Sequence, residues 1–179
     1  MKNASIFHGH GSTSKSYWHP WLKNELEKLG YAVWLPDMPD TDLPVLKKWL
    51  PFTLQNGTYN EETILVGHSC GVSLILSILE NIDVKIKKAI LVAGFIKPLS
   101  NRPYPILQNN YDWEKIKSHC KEFVVINSDN DPWGCDKKMG KLIADGVGGK
   151  LIILHDGHMG SESFNQPYKE FPLLLDFVK

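Results

Sequence analysis

The fold of this chain is decided by the stretch Thr63-Ile64-Leu65-Val66-Gly67-His68-Ser69-Cys70-Gly71-Val72. Its first four residues are apolar or β-branched, as in a buried strand, and an apolar pattern with helical spacing starts at Val72. Two glycines flank Ser69, at positions where a β-carbon would collide with a neighbouring strand or helix. The stretch therefore predicts a buried strand, a sharp turn centred on Ser69, and a helix that starts directly after the turn.

Similar short apolar runs recur along the rest of the chain. They predict six strands, at 4–7, 32–35, 63–66, 89–93, 123–126 and 151–154. Each run is apolar on both faces, which is typical of a parallel sheet that is covered by helices on both sides. We therefore predict an α/β fold, a three-layer α/β/α sandwich with a mostly or wholly parallel six-stranded sheet. A chain of 179 residues can bury one such core, so we expect a single domain over residues 1–179.

The segments between the strands predict helices and loops. Apolar residues recur with helical spacing over 18–29, 72–79 and 171–178, and such stripes would pack against the sheet. The stretch 95–110 contains three prolines and predicts a loop, which is the best candidate for a lid over a site. Because this stretch is shorter than about 20 residues, we expect it to shape a pocket without forming a large cap domain.

Ser69 is the candidate nucleophile, because a G-x-S-x-G turn between a strand and a helix lifts the serine hydroxyl above the sheet. The next backbone N–H, on Cys70, would lie at the helix N-terminus and stabilise a developing oxyanion. The second donor of such an oxyanion hole normally comes from the glycine-rich loop after the first strand, and we assign it to the backbone N–H of His10. The thiol of Cys70 is a rival nucleophile, but its place after the centre of the turn would direct it away from the exposed apex.

A serine nucleophile needs a base to remove its proton and an acid to orient that base. In this fold the acid precedes the histidine along the chain, and both follow strand ends. Asp131 follows the fifth predicted strand and precedes a proline that would hold the loop, and Asp129 is the second choice. His158 follows a glycine in the turn after the sixth strand, whereas His155 lies nearer the strand. The residues predict a triad of Ser69, Asp131 and His158.

With these residues the chain resembles a known family, the α/β-hydrolases, and especially the small serine hydrolases of the retinoblastoma-binding protein 9 type. The resemblance spans nearly the whole chain, and its motifs are His8-Gly9-His10-Gly11, Trp18 with Pro20 and Trp21, Gly67-His68-Ser69-Cys70-Gly71, Asp131-Pro132-Trp133, and Gly157-His158. It implies that Ser69 is the nucleophile, His158 the general base and Asp131 its orienting acid, with no cofactor.

The chain departs from this family in the acid loop. Trp133, Gly134 and Cys135 stand where relatives usually carry valine or leucine followed by proline, which concerns the pocket wall and not the triad. The family's name suggests retinoblastoma binding through an L-x-C-x-E motif. The nearest match, residues 118–122, lacks the leucine, so we do not extend that partner to this chain and leave any protein partner open.

Composition excludes several other classes of protein. Lysine plus arginine number 20 and acidic residues number 20, so no net field attracts nucleic acid or an anionic membrane. No uninterrupted apolar stretch reaches the roughly 20 residues of a membrane span, and a strand predicted from residue 4 argues against a signal peptide. Three cysteines without a C-x-x-C pair fit a reducing compartment. We expect a cytoplasmic protein that acts on a small acyl substrate.

The sequence thus predicts a serine hydrolase that cleaves an ester, thioester or amide bond through an acyl-enzyme on Ser69, with no metal or cofactor. Four apolar side chains are predicted to line its substrate pocket: Trp18, Phe95, Trp133 and Met159. Two alternatives stay open. One is a non-catalytic binding module on the same fold, and the other is a metal-dependent hydrolase in which His8 and His10 are ligands, although no third and fourth ligands are evident.

Overall fold

A computed structural model describes residues 1–101 and 103–178 of the chain. Its strands are β1 (Asn3–Phe7), β2 (Ala32–Trp34), β3 (Ile64–His68), β4 (Ile86–Val92), β5 (Cys120–Ser128) and β6 (Lys150–Leu154). They form one sheet in the order β2-β1-β3-β4-β5-β6, and every neighbouring pair is parallel. The predicted α/β/α sandwich with a wholly parallel six-stranded sheet is confirmed.

Helices connect the strands and cover the sheet. They are α1 (His19–Lys28), α2 (Leu46–Asn56), α3 (Cys70–Leu79), α4 (Trp113–Ser118), α5 (Lys137–Val147), a 3₁₀ turn (Pro172–Leu174) and α6 (Leu175–Val178). Helix α2 packs beside α3, and α4 packs beside α5. No helix within residues 1–101 and 103–178 is long and apolar enough to span a membrane.

The core lies around the central strands and the helix after the turn. All five residues of β3 and all ten residues of α3 are buried, as the apolar stretch around residue 69 predicts. The edge strand β6 is only partly buried, because no further strand pairs with its outer edge in the described chain. Burial on both faces is therefore a property of the central strands, while β6 exposes Ile153.

The segments outside the core differ from the prediction in detail. Strands β4 and β5 begin earlier than predicted, because Lys88 and Glu122 interrupt the apolar pattern while the backbone pairing continues through them. The predicted helix at 171–178 is a 3₁₀ turn followed by the short α6. The stretch 95–110 contains no helix or strand in its described residues, and it forms no large cap, as expected. Ile106 anchors this stretch in the core.

The strand order determines where a site can form. The chain runs from β1 to β2 on one side, and then returns to place β3 on the other side of β1. In parallel α/β sheets, ligands bind at the carboxyl edge near such a reversal. The loops after β1, β3, β5 and β6 all leave the sheet at this edge, and they carry the predicted site residues.

Candidate active site

The turn between β3 and α3 has the strained geometry that its sequence predicts. Ser69, the residue between the strand and the helix, has φ 56° and ψ −116°, in a region that residues with a side chain rarely adopt. A β-carbon at Gly71 would lie 2.2 Å from the backbone oxygen of Phe7, and one at Gly67 would lie 2.7 Å from the backbone of Gly71. Only glycine fits at both positions, so the two flanking glycines allow the strand and the helix to meet at Ser69.

The loops after β5 and β6 bring Asp131 and His158 together. Nδ1 of His158 lies 2.7 Å from Oδ2 of Asp131, and the two side chains are 8% and 0% exposed. The other carboxylate oxygen of Asp131 accepts the backbone N–H groups of Trp133 and Cys135, at 2.8 and 3.3 Å. Because an ionised carboxylate only accepts, Nδ1 of His158 carries the proton and Nε2 is left with a free lone pair.

Asp129, the second choice for the acid, forms a pair of its own with His155. Nδ1 of His155 lies 2.6 Å from Oδ1 of Asp129, and the side chains are 79% and 42% exposed. The two loops therefore hold two aspartate–histidine pairs, one at the surface and one buried. Their sequence separations are 26 and 27 residues, so spacing alone hardly distinguishes the two pairs.

The loop after β1 lies directly against Ser69. A β-carbon at Gly9 would be 2.9 Å from Cβ and 3.3 Å from Oγ of Ser69, so this position also requires glycine. The neighbouring His10 has an exposed side chain, whose Nε2 donates to the carbonyl of Asp42 at 2.9 Å. The loop thus leaves its backbone, not its histidine ring, beside Ser69. Cys70, the first residue of α3, borders Ser69 on the other side.

The Cys70 thiol is poorly suited to be the nucleophile. Burial raises the pKa of the Cys70 thiol to about 12, against smaller lowering effects of the His10 backbone and the Ser69 hydroxyl. The thiolate is the reactive form of cysteine, and at neutral pH this thiol stays protonated. The buried, protonated thiol therefore makes Cys70 a poorer candidate nucleophile than Ser69.

A buried cysteine that the sequence analysis did not assign to the site lies beside the pair. In the described part of the chain, one group of three potential metal-ligand side chains has its ligand atoms within 4.8 Å of one another: Asp131, Cys135 and His158. Burial raises the pKa of the Cys135 thiol well above its usual value, so this thiol is protonated and neutral at pH 7. Asp131 lies in the same loop as Cys135, but His158 comes from the loop after β6, so the group of three forms only in the folded chain.

The two histidines of the alternative metal hypothesis do not converge. His8 is buried, its Nδ1 contacts the carbonyl of Gly9 at 3.0 Å, and its Nε2 accepts the backbone N–H of Met38 at 3.1 Å. His10 is exposed and contacts Asp42. Both ring nitrogens of His8 are engaged in the fold, so the pair offers no shared metal site.

The predicted pocket residues are divided between the core and the surface. Trp18, Phe95 and Met159 are fully buried. Trp133 is 46% exposed and meets Phe164, itself 47% exposed, edge to face with ring centroids 5.0 Å apart. Sequence reasoning missed Phe164, which lies in an irregular segment without periodicity. The exposed aromatic pair of Trp133 and Phe164 is the apolar surface next to the acid loop.

Comparison with known proteins places the chain in a family. The sequence profile described as serine hydrolase matches residues 4–176, and the chain belongs to this family. It is 30% identical over 185 residues to YdeN of Bacillus subtilis (strain 168), described as a hydrolase, covering 99% of this chain and 94% of that protein. It is 28% identical over 163 residues to serine hydrolase RBBP9 of Rattus norvegicus, covering 88% and 86%.

Solved structures agree with this assignment. The crystal structure of the ydeN gene product of B. subtilis superposes with a TM-score of 0.90 at 30% identity, over 99% of this chain and 97% of that one. Est1E of Butyrivibrio proteoclasticus, solved with ferulic acid bound, superposes with a TM-score of 0.73 at 16% identity, over 100% and 87%, and so shares the fold. The chain is therefore an enzyme, a serine hydrolase of the α/β-hydrolase fold and of the small type that the sequence resembles, rather than a binding module.

Proposed function

We propose that this serine hydrolase cleaves an ester, thioester or amide bond of a small acyl substrate, through an acyl-enzyme on Ser69. The observation that carries the proposal is the buried 2.7 Å contact between His158 and Asp131, at the sheet edge where the strained turn presents Ser69. A buried carboxylate beside one imidazole nitrogen fixes the ring and its tautomer, which leaves the other nitrogen to act as a base.

The proposed reaction has two halves. Ser69 Oγ attacks the substrate carbonyl while Nε2 of His158 takes its proton, and the Asp131 carboxylate stabilises the imidazolium that forms. The backbone N–H groups of Cys70 and His10 donate to the oxyanion of the tetrahedral intermediate. His158 then returns the proton to the leaving group as the carbonyl–leaving group bond breaks. Water repeats the sequence on the acyl-enzyme and regenerates Ser69.

The exposed aromatic pair supports an apolar group in the substrate. Trp133 follows Asp131 by two residues, and its backbone N–H contacts that carboxylate, so its exposed ring lies close to the proposed triad. Phe164 extends the same surface. Trp18, Phe95 and Met159 are buried and would need to move to touch a substrate, so Trp133 is the predicted pocket residue that the proposal uses.

The experiment is a turnover assay on a short p-nitrophenyl ester. Ser69→Ala is expected to lower kcat by about 10⁶-fold, the scale found for triad nucleophiles. Cys70→Ala is the matched control at the neighbouring position, and it is expected to keep turnover because it leaves the backbone N–H of the oxyanion hole in place. Unchanged turnover in Ser69→Ala, or loss of turnover only in Cys70→Ala, would contradict the proposal.

A further inference from the structure

Two buried ring N–H groups hold the backbone of the turn that carries His158. Nε2 of His68 lies 2.9 Å from the carbonyl oxygen of His158, and Nε1 of Trp18 donates to the carbonyl of Met159, also at 2.9 Å. A carbonyl oxygen only accepts, so Nε2 of His68 carries its proton. Two successive carbonyls are thus satisfied by donors from two other segments of the chain.

This turn cannot keep its shape through local preference alone. Gly157, Met159 and Gly160 have φ values of 58°, 52° and 128°, all in the left-handed region. Met159 has a β-carbon, and such a residue adopts this region only when its surroundings hold it there. From the other side, the backbone N–H of His158 donates to Oε1 of Gln166 at 2.9 Å. The position of His158 is therefore set by partners outside the turn.

Of these partners, we expect His68 to contribute most to the position of His158. It is buried among the rings of Tyr17, Trp18, His19 and His158, with centroids 5.9, 5.6, 5.5 and 5.0 Å away. Nδ1 of His68 has no hydrogen-bond partner in the described residues. Among these residues, the ring's hydrogen bond is therefore the one from Nε2 to the carbonyl of His158. Burial, with the nearby His158 and His19, lowers the pKa of His68 well below its usual value and keeps the ring neutral.

We propose that His68 is a positioning residue, which couples the nucleophile turn to the turn of the base through its Nε2–H and the carbonyl of His158. His68 directly precedes Ser69 in the chain, so this one hydrogen bond joins the two segments whose side chains must exchange a proton. No proton passes through His68 in the reaction. The inference rests on the proposed function, in which Ser69 and His158 act together.

Three variants at residue 68 separate the hydrogen bond from packing. His68→Phe keeps an aromatic ring but has no donor, and we expect kcat to fall by about 10²-fold with little change in KM, as for a misplaced catalytic group. His68→Gln offers an amide N–H at about the position of the imidazole Nε2–H and is expected to restore most of the lost kcat. His68→Asn is polar, but its shorter amide stops short of the carbonyl, so it should resemble His68→Phe.

The urea midpoint of unfolding is measured for each variant. If His68 had a purely structural role, kcat would follow the stability of the variants and not the reach of the side-chain donor. Equal kcat in His68→Phe and wild type, or equal kcat in the Gln and Asn variants, would overturn the inference while Ser69→Ala still loses activity. Turnover that does not depend on Ser69 would instead overturn the proposed function. If His68→Phe does not fold, the Gln and Asn pair decides.

The wild-type protein offers an independent measurement. The ¹⁵N NMR shifts of the His68 ring at neutral pH are expected to show a protonated Nε2 and an unprotonated Nδ1, with slow exchange of the Nε2 proton. A protonated Nδ1 with a bare Nε2 could not donate to the His158 carbonyl and would overturn the inference without any substitution.

Discussion

Two aspartate–histidine pairs lie at the carboxyl edge of the sheet, and the largest difference between them is burial. Asp131 and His158 are 0% and 8% exposed, whereas Asp129 and His155 are 42% and 79% exposed. Both pairs take their aspartate from the loop after β5 and their histidine from the loop after β6, at contacts of 2.7 and 2.6 Å. Contact distance therefore does not distinguish the buried pair from the surface pair.

The physical difference between the two pairs is the medium that surrounds them, which is water for the exposed pair and protein for the buried pair. Water screens the exposed pair, and ion pairs of this kind contribute roughly 0–1 kcal/mol. In a site from which water is excluded, the same carboxylate interacts much more strongly with an imidazolium that forms during the reaction. Asp131 also accepts two backbone N–H groups, which hold it in place, so the buried pair has both the field and the fixed geometry that catalysis needs.

The largest difference between the pairs is expected at the histidines. His158→Gln removes the proposed base and should lower kcat for a p-nitrophenyl ester by about 10⁶-fold, since loss of the base costs about as much as loss of the whole triad. His155→Gln is the matched control, and we expect it to change kcat by less than about twofold because the pair is exposed. Comparable losses in the two variants would end the distinction between the pairs.

The aspartates should show a smaller contrast in the same direction. Asp131→Asn keeps the shape but is expected to lower kcat by about 10⁴-fold, because the amide no longer fixes the productive tautomer of His158. Asp129→Asn should leave kcat near the wild-type value. Steady-state kinetics of both variants test this, and a larger loss in Asp129→Asn would show that the exposed pair is the catalytic one.

The contrast between buried and exposed histidines extends to acid stability. Burial lowers the pKa of His19 from 6.5 to about 3, with a smaller lowering effect from His8. Between pH 6.5 and about 3, His19 binds a proton in the unfolded chain but stays neutral in the folded chain. The corresponding stability is therefore complete above pH 6.5 and is lost towards pH 3, by up to about 1.4 kcal/mol per pH unit.

His19→Leu tests this dependence through urea midpoints at pH 7, 6 and 5. We expect the midpoint of the wild type to fall over this range, and that of His19→Leu to fall less. The same fall in wild type and His19→Leu would show that His19 is not a source of acid sensitivity.

The smallest effect is expected from the exposed aromatic pair beside the buried carboxylate. Trp133→Ala keeps the backbone N–H that contacts Asp131, so kcat should change little. Loss of aromatic contact to an apolar acyl or leaving group should raise KM several-fold, in line with about 0.5–1.5 kcal/mol for such contacts. A series of p-nitrophenyl esters of increasing chain length provides the measurement, with Phe164→Ala as the partner variant. If Trp133→Ala and the wild type have the same KM for every ester of the series, the Trp133 ring does not contact the substrate.

The fold and the strained turn at Ser69 could be predicted because their signals are local. Strand β3, the two glycines around Ser69 and the apolar start of α3 stand in one continuous stretch, and each restricts the backbone where it occurs. The pairing of Asp131 with His158 was also within reach, since parallel strands bring the ends of β5 and β6 to one edge. Asp131 is preferred to Asp129 because it lies a few residues past the strand and precedes Pro132, and the structure places the Asp131 carboxylate in the buried pair.

Other parts of the site depend on contacts between distant segments and leave no local pattern. The bond from His68 to the His158 carbonyl joins residues 90 positions apart, and it exists only because the turn points that carbonyl inward. Gln166 and Phe164 lie in an irregular segment whose course no periodicity predicts. For Trp18 and Met159, aromatic and apolar character was compatible with a pocket or a core, and burial in the folded chain places both in the core.

The assignment of Ser69 as the nucleophile is tested by the site at which a fluorophosphonate probe attaches to the wild-type protein. Such probes react with a serine that a neighbouring base has activated. Intact-mass measurement and peptide mapping are expected to find one adduct per chain, on Ser69, formed rapidly at neutral pH and absent from His158→Gln. A protein that stays unmodified, or an adduct on any residue other than Ser69, would show that Ser69 is not the activated nucleophile.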